Sequence, residues 1–481
     1  MIVSIGRAIA LHAEKEPERP AVTHEGRSLT RRELDRRTNR LARAYAERGV
    51  GPDRFVTIGL PNGLEFYEAA VAAWKLGAIP QPISSRLPRP EREAIVELAD
   101  PALVVGVDQT SVGGRSSVPA GFEPPSALPD TPLPDRTATW WKAPTSGGST
   151  GRPKLIVAGG PGSVDLGAVP PFNIQPDGVM VVPGPLYHNA PFTSSMLGLF
   201  RGNHLVVLTR FDPRLTLALI ERHRADFVLL VPTMMHRIWR LPPEERLRYD
   251  LGSLRTVWHM AAPCPPWLKE AWIEWLGPER LLELYAGTEL QAMTTITGTE
   301  WLSHRGSVGR AAVGEMCVQG PDGERRSPGE IGEVFMRRPP DTPPTYRYIG
   351  AEPRTRGDWE SLGDMGYLDG EGYLYLTDRQ TDMILVGGAN VYPAEIEAAL
   401  EQHPRVRSSA VIGLPDDDLG QRIHALVQLD GEVDDADLLE HLAARLARYK
   451  VPRSVERVSE PLRDEAGKVR RSALREARLG R

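Results

Sequence analysis

The sequence predicts an α/β protein: a large N-terminal domain of layered α/β subdomains followed by a small α+β C-terminal domain. Three observations predict it. Short apolar strand-like runs alternate with amphipathic helical stretches between residues 30 and 286, the order expected of largely parallel strands covered by helices. A chain of 481 residues exceeds what one ordinary core supports. The pattern changes near residue 379, and residues 380–481 read as a compact module. The expected domains are therefore 1–379 and 380–481, with a hinge at 379–382.

Thr30 and Glu33 have capping-box spacing, and Leu34, Leu41, Ala42 and Tyr45 recur at helical intervals until Gly49, which predicts a helix. "RFVTIGLP" follows as a strand. "LEFYEAAVAAWKLGA" puts Phe66, Tyr67, Ala70, Val71 and Trp74 on one helical stripe, and "ALVVGVD" returns to a strand. Residues 112–136 carry Gly, Pro and Ser at a density that no helix or central strand tolerates, so a long connection is expected. Strands at "HLVVLTR", "ADFVLLVPT", "LRTVWHMA" and "RLLELYA" continue the architecture, and no repeat of solenoid period interrupts it. In the C-terminal module, helices are expected at "PAEIEAALEQH" and "DDADLLEHLAARLARY", and strands at "SSAVIGLP", "RIHALVQLD" and "SVERVSE".

With 58 basic and 63 acidic residues the net charge is -5, which provides no field for nucleic acid or anionic lipid and favours small-molecule partners. Cys264 and Cys317 lack CxxC or Cys/His spacing, so neither a disulfide framework nor a zinc site is expected. No apolar run reaches bilayer-spanning length, and "MIVSIGRAIALHAEKEPERP" lacks the layout of a signal peptide. A cytoplasmic protein is expected.

The densest motif is "TSGGSTGRPK", residues 145–154. Thr145, Ser146, Gly147, Gly148, Ser149, Thr150 and Gly151 offer hydroxyls and glycine-exposed backbone NH groups, and Lys154 adds a cation. Such a concave donor surface suits phosphate oxygens. It is not a Walker loop, because Arg152 stands five residues after Gly147 where GxxxxGK[ST] needs glycine.

Other stretches follow in order: "PLYHNAPF" at 185–192, "DLGSLRTVWHMAAPCPP" at 250–266, "YAGTE" at 285–289, "LGDMGYLDGEGYLYLTDRQTDMILVGGANVYPAEIE" at 362–397 and "GKVRR" at 467–471. Together with the 145–154 loop they resemble the signatures of the adenylate-forming superfamily, which contains acyl-CoA synthetases, peptide-synthetase adenylation domains and luciferases. The wording is most similar to CoA ligases acting on bulky acids of steroid or bile-acid type. The resemblance implies ATP and Mg²⁺, a mobile C-terminal lid, and activation of a carboxylic acid as its acyl-adenylate with loss of pyrophosphate. A carboxylate is a poor acyl donor because its leaving oxygen is too basic, and AMP is a far better leaving group. An anion must then approach a polyphosphate, so the site needs a metal, fixed cations and preorganised donors.

The resemblance carries roles onto particular residues. Glu289 is implied as the Mg²⁺ ligand, Thr288 as a donor to the α-phosphate, and Tyr285, Ala262 and Pro263 as the adenine side. Asp364 and Arg379 are implied at the ribose, and Lys468 at the reacting carboxylate and phosphate. Gly387 and Gly388, in "VGGAN", are implied at a pantetheine tunnel that domain rotation opens, with His188 as its gate or as a neighbour of the acyl carboxylate. Asp364 reads as a turn residue. Three positions depart from the pattern: Ala286 replaces the usual glycine, "LGD" replaces Thr-Gly-Asp, and Thr381 occupies the hinge position usually held by Asp or Lys.

CoA is the acceptor that the wording favours. An amine is the alternative, since adenylation motifs would look unchanged in a CoA-independent amide synthetase; a non-catalytic nucleotide-binding regulator is the reading from another class. Thirteen residues follow Lys468, so no carrier domain is expected. The acyl wall is expected from residues near 187–196, 258–263 and 283–294, where Ala190, Ala286 and Gly287 leave room for a bulky acid. A homodimer is left open. Lys468→Ala should lower adenylate formation by about 10²- to 10³-fold while retaining thioester formation from preformed acyl-adenylate; single-turnover assays of the two half-reactions check this split.

Overall fold

The structure is a computed structural model that describes all residues except 108–111, 148–152, 170, 380, 381, 387, 388, 417, 466, 480 and 481, and except the side chains at 147, 378 and 379. Its centre is a nine-stranded sheet. In spatial order the strands are Arg310–Val313, Met293–Thr297, Leu281–Ala286, Thr256–His259, Phe227–Leu230, Val179–Val182, His204–Val207, Pro20–His24 and Arg27–Thr30. Those from Leu281–Ala286 to Pro20–His24 are all parallel, and antiparallel strands close both edges. The parallel strands are short, apolar and almost wholly buried, as a sheet covered on both faces requires.

Val179–Val182 pairs with His204–Val207 on one side and Phe227–Leu230 on the other. Chain order therefore reverses there. In open α/β sheets such a switch point parts the connections beyond the strands' carboxyl ends and leaves a crevice. The loops beginning at residues 183, 231, 260 and 287 all leave the sheet at that edge.

Two apolar clusters cover the faces. One gathers residues of the Ile5–Lys15, Arg31–Ala46, Leu64–Lys75 and Asn189–Phe200 helices; the other gathers those of Pro213–His223, Pro232–Trp239 and Pro266–Leu276. The Thr30/Glu33 capping box forms in both directions. Leu64–Lys75 departs from the expected stripe: every residue from Phe66 to Lys75 is buried. The helix is enclosed because it packs against the Ile5–Lys15 and Arg31–Ala46 helices and against strands of two sheets. Its polar positions are consequently paired, Glu68 with Arg37 and Lys75 with Asp35.

A second sheet of four parallel strands holds Ile79–Pro82, Phe55–Ile58, Leu103–Val105 and Ser117–Val118, the last lying within the expected long connection. A three-stranded antiparallel sheet pairs Thr145–Gly147, Pro153–Ala158 and Tyr346–Ile349. Another antiparallel sheet contains Trp359–Leu368 and Leu374–Arg379. Asp364 is therefore not a turn residue: it lies inside the Trp359–Leu368 strand, beside a register shift at Met365/Gly366. The Gly363-Asp364 pair gave the sequence a turn-like look there, whereas cross-strand pairing keeps the chain extended.

The chain passes from the Leu374–Arg379 strand to Ile384–Val386, which belongs to a different sheet; the expected hinge residue between them, Thr381, lies outside the described residues. That C-terminal sheet contains Ala389–Val391, Ile384–Val386, Gly420–Leu429, Val406–Asp416 and Ser454–Arg457. Its core takes Ile396 and Leu400 from the Pro393–Leu400 helix and Leu438 and Leu442 from Asp435–Ala443. The second helix stops at Ala443, short of the expected Tyr449, and the chain continues into a 3-10 turn at Arg448–Lys450. Pro452 stands two residues beyond that turn and cannot continue a helix. Among the described residues no helix is long and apolar enough to cross a membrane.

Lys75 Nζ donates to Asp35 Oδ1 at 2.7 Å and to Asn39 Oδ1 at 2.7 Å. Burial lowers this lysine to about 8, with Asp35 opposing. Asp35→Ala, which leaves the ammonium buried without its carboxylate, should cost about 3 kcal/mol, read as a lower denaturant midpoint for the N-terminal domain.

Candidate active site

A cavity of about 1770 Å³ opens at the carboxyl edge of the central sheet and runs under the C-terminal domain. The strand-terminal loops line it: Gly184 and His188 after Val179–Val182, Met234 after Phe227–Leu230, Ala262 and Pro263 after Thr256–His259, and Thr288 and Glu289 after Leu281–Ala286. Ser146 and Lys154 enter from the three-stranded sheet and Asp364 from the Trp359–Leu368 strand. Lys468 enters from the other domain.

Glu289 is buried, at 4% exposure. The Tyr348 hydroxyl donates to its Oε1 at 2.5 Å, and Lys154 Nζ lies 3.5 Å from the same oxygen and 3.9 Å from the centre of the Tyr348 ring. Burial, and then Glu289, push the Tyr348 phenol far up, so it remains a donor. The carboxylate is thus oriented from one side by a phenol and a cation. Thr345 Oγ1 fixes its backbone by donating to the Glu289 carbonyl at 2.7 Å. Among the described residues no cluster of three or more His, Cys, Asp or Glu gathers for a metal. A carboxylate that faces the cavity with a lysine beside it suits Mg²⁺, which takes one or two carboxylates and completes its shell with phosphate and water oxygens.

Tyr285 OH donates to Asp364 Oδ2 at 2.7 Å, and Asp364 stands opposite Arg379 in the strand register. Phenol, carboxylate and the Arg379 position thereby meet on one wall. Gly287 has no side chain for a steric reason: a Cβ there would come within 2.5 Å of Leu362 and 2.7 Å of Glu289 Oε2. Thr145 does not line the cavity; its Oγ1 accepts from the buried Gln81 amide at 2.8 Å and so anchors the start of the loop. Gly148, Ser149, Thr150, Gly151, Gly387 and Gly388 lie outside the described residues, as does the Arg379 side chain.

His188 stands at the N-cap position of the Asn189–Phe200 helix, without a side-chain capping bond, in a turn that buried Asn62 pins. Asn62 Nδ2 donates to the carbonyls of Gly184 at 2.9 Å and Leu208 at 3.0 Å, and its Oδ1 accepts from the Leu186 NH at 2.8 Å. Burial pulls the His188 imidazole down to about 4, Asp464 opposing and Lys468 and Arg470 reinforcing, so the ring is neutral at neutral pH.

The two domains touch around this point. Asp464 Oδ2 lies 4.0 Å from His188 Nε2. Glu465 accepts from Tyr187 OH at 3.2 Å and from Arg86 at 2.7 Å. Gly467, at φ 77°, lies against Thr233 so closely that a Cβ would fall 2.7 Å from its hydroxyl. Arg240 binds the carbonyls of Pro404 and Val406 farther along the interface. Lys468 follows Gly467 in a turn closed by Asp464, whose Oδ1 accepts from the Lys468 NH at 2.9 Å.

Sequence reasoning missed Tyr348, Asn62, Asp464 and Glu465, and also Trp141 and Lys142 on the deep wall. None belongs to a stretch with a distinctive pattern. Their roles come from contacts between residues far apart in the chain.

A cavity at a switch point, with hydroxyls, cations and the oriented carboxylates of Glu289 and Asp364 around it, suits an adenylate-forming enzyme. The chain belongs to the AMP-binding enzyme family: residues 9–343 match that family and residues 395–468 match the AMP-binding enzyme C-terminal domain. It is 32% identical to a feruloyl-CoA synthase from Amycolatopsis sp, over 96% of each chain. It is 29% identical to the long-chain-fatty-acid–CoA ligase FadD13 of Mycobacterium tuberculosis, over 93% of each. Its fold is similar to that of o-succinylbenzoate CoA synthetase from Bacillus subtilis, with a TM-score of 0.82, 24% identity, and 98% of each chain covered. The amide bond synthetase McbA from Marinactinospora thermotolerans is 27% identical with a TM-score of 0.79, covering 98% of this chain and 99% of that one.

Tyr348→Phe removes the hydroxyl that orients Glu289. It should raise the Mg²⁺ concentration for half-maximal pyrophosphate release about tenfold and should weaken the Mg²⁺-dependent part of the thermal stabilisation by ATP, measured by titration in both assays.

Proposed function

We propose that this chain is an ATP-dependent acid–CoA ligase. A carboxylate attacks the α-phosphate of ATP, pyrophosphate leaves, and the acyl-adenylate then passes its acyl group to the CoA sulfur with release of AMP. The observation that carries the reading is the convergence of Ser146, Lys154, Glu289, Asp364 and Lys468, drawn from distant parts of the chain and from both domains, on one cavity.

In this reading the 145–154 loop holds the phosphates and Lys154 compensates their charge. Tyr285, Ala262 and Pro263 bound the adenine, and Asp364 with Arg379 holds the ribose. Glu289 is the residue that would hold Mg²⁺; when bound, the ion neutralises the polyphosphate that the incoming carboxylate must approach. Thr288 donates to the α-phosphate. Lys468 bridges the attacking carboxylate and the phosphate, where a fixed cation costs no reorganisation as charge shifts. His188, neutral and next to that point, packs against the carboxyl without adding a competing charge. The C-terminal domain, 380–481, is the mobile part. The contacts of Asp464 and Glu465 hold it in the adenylating arrangement, and their release lets residues 386–390 face the site for pantetheine. The same reading puts the enzyme in the cytoplasm, where ATP and CoA are supplied.

The acid is inferred to be bulky. Apolar side chains including Phe172, Leu197, Phe200 and Met293 line the deep part of the cavity, and Ala190 and Ala286 leave space beside them. An amine acceptor is the second reading, supported by the likeness to an amide bond synthetase. Incubation with ATP, Mg²⁺ and a panel of carboxylic acids, with CoASH or an amine added, should yield AMP, pyrophosphate and an acyl-CoA by mass spectrometry. An amide formed without CoASH would move the acceptor to the amine, and failure of every acid to release pyrophosphate would end the reading.

A further inference from the structure

Three lysines are buried among the described residues: Lys75, Lys142 and Lys269. Two of them face carboxylates, Lys75 with Asp35 and Lys269 with Glu283. That is the usual way to offset the desolvation of an ammonium, which is costly when left uncompensated. Lys142, 5% exposed, has no acidic partner among the described residues. Its Nζ donates to Asn189 Oδ1 at 2.6 Å and to Thr193 Oγ1 at 2.6 Å, and lies 4.8 Å from the centre of the Trp141 ring. An ammonium has three N–H donors, and these two acceptors are both neutral.

The position is rigid and belongs to the cavity. The Lys142 carbonyl accepts from the Ala158 NH at 3.0 Å, and the Trp141 carbonyl accepts from the Trp74 indole at 2.7 Å. Lys142, Asn189 and Thr193 all line the cavity, on the side where the Asn189–Phe200 helix runs inward from His188. Asn189 follows His188 directly and Thr193 lies four residues further, about 6 Å along the helix. In the acid-activating reading, in which His188 neighbours the activated carboxyl, the ammonium would stand beside the body of the acyl group.

We propose that Lys142 is a specificity-determining residue that binds a second oxygen function on the acyl group, a carboxylate or a carbonyl, a few bonds beyond the carboxyl being adenylated. The substrate class is thus an apolar acid carrying one inward oxygen acceptor. The inference rests on the acid-activating reading of the site and deepens it. Desolvation lowers the lysine to about 7, and its neighbours Asn189, Thr193 and Trp141 carry no charge. An incoming anion would supply the missing counter-charge, and a ketone would accept a hydrogen bond from the ammonium.

The test uses the full-length enzyme and three matched probes: cyclohexanecarboxylate bearing hydrogen, a ketone or a second carboxylate on the ring carbon opposite the carboxyl. The wild type should favour at least one oxygenated probe by about tenfold or more in kcat/KM for pyrophosphate release, the scale of a hydrogen bond to a charged group. Lys142→Met should collapse that ratio to within about twofold, most of the change appearing in KM. Lys142→Gln provides a second substitution, and thermal melts identify any variant that fails to fold. If the carboxylate is the preferred group, wild-type kcat/KM for that probe should fall as pH rises through about 7, as the free ammonium is lost, while a ketone preference should be much flatter. A wild type that does not favour either oxygenated probe, or a Lys142 variant that keeps the preference while losing activity equally on all three, overturns the proposal. Silence with these probes and with every other acid would instead defeat the acid-activating reading itself.

Discussion

Parallel pairing of the central strands is the constraint on which the rest of the molecule depends. Strands that run the same way must be joined by crossovers, and those crossovers put helices on both faces. The carboxyl ends then all point to one edge, and because chain order reverses at Val179–Val182 the loops at that edge part instead of crossing over it. His188, Ala262, Pro263, Thr288 and Glu289 are neighbours for this reason, although up to a hundred residues of chain separate them. The other sheets add what the central one cannot supply: Ser146, Lys154 and Tyr348 from one, Asp364 from another.

Around Glu289 and His188, charge is arranged so that little is left uncompensated before a substrate arrives. Glu289 is already met by Tyr348 and Lys154, and the buried imidazole of His188 is neutral. The contact with the C-terminal domain has a different character. Among the described residues it includes polar contacts from Asp464 and Glu465, backbone hydrogen bonds from Arg240 and the close approach of Gly467 to Thr233. Polar contacts of this kind, exchangeable with water, fit an interface that opens and closes more readily than an apolar one. The C-terminal domain keeps an apolar core of its own, so separation of the two would leave each core intact.

The motif-bearing parts were legible in the sequence. Their glycines, hydroxyls and charged residues lie in runs whose order resembles the family's signatures, and Ser146, Lys154, Tyr285, Thr288, Glu289, Asp364 and Lys468 all come to the cavity. Legibility failed where a role depends on an unrelated part of the chain. Asn62 looks like an ordinary loop residue until its three hydrogen bonds to 184–186 and 208 are seen. Tyr348 is one tyrosine of a short strand whose hydroxyl happens to meet Glu289. Asp364 comes to the cavity but was misread as a turn, because local composition cannot register the strands paired on either side of it. The Leu64–Lys75 helix was legible as a helix, but its burial on every side depends on a second sheet that periodicity does not reveal.

What the sequence determined by itself is therefore local and repetitive: the alternation of strands and helices, the Thr30/Glu33 cap, the change of pattern near residue 379, and the runs that resemble the family's motifs. These follow from short-range sterics, hydrogen bonding and the periods of burial, all of which act over a few residues. The tertiary structure alone decided which residues share a wall and which buried charges are paired. Lys75 and Lys269 received carboxylates from elsewhere in the chain and Lys142 received Asn189 and Thr193. Packing brings together groups whose separation along the chain has no bearing on the electrostatic energy between them, and no local pattern encodes that energy.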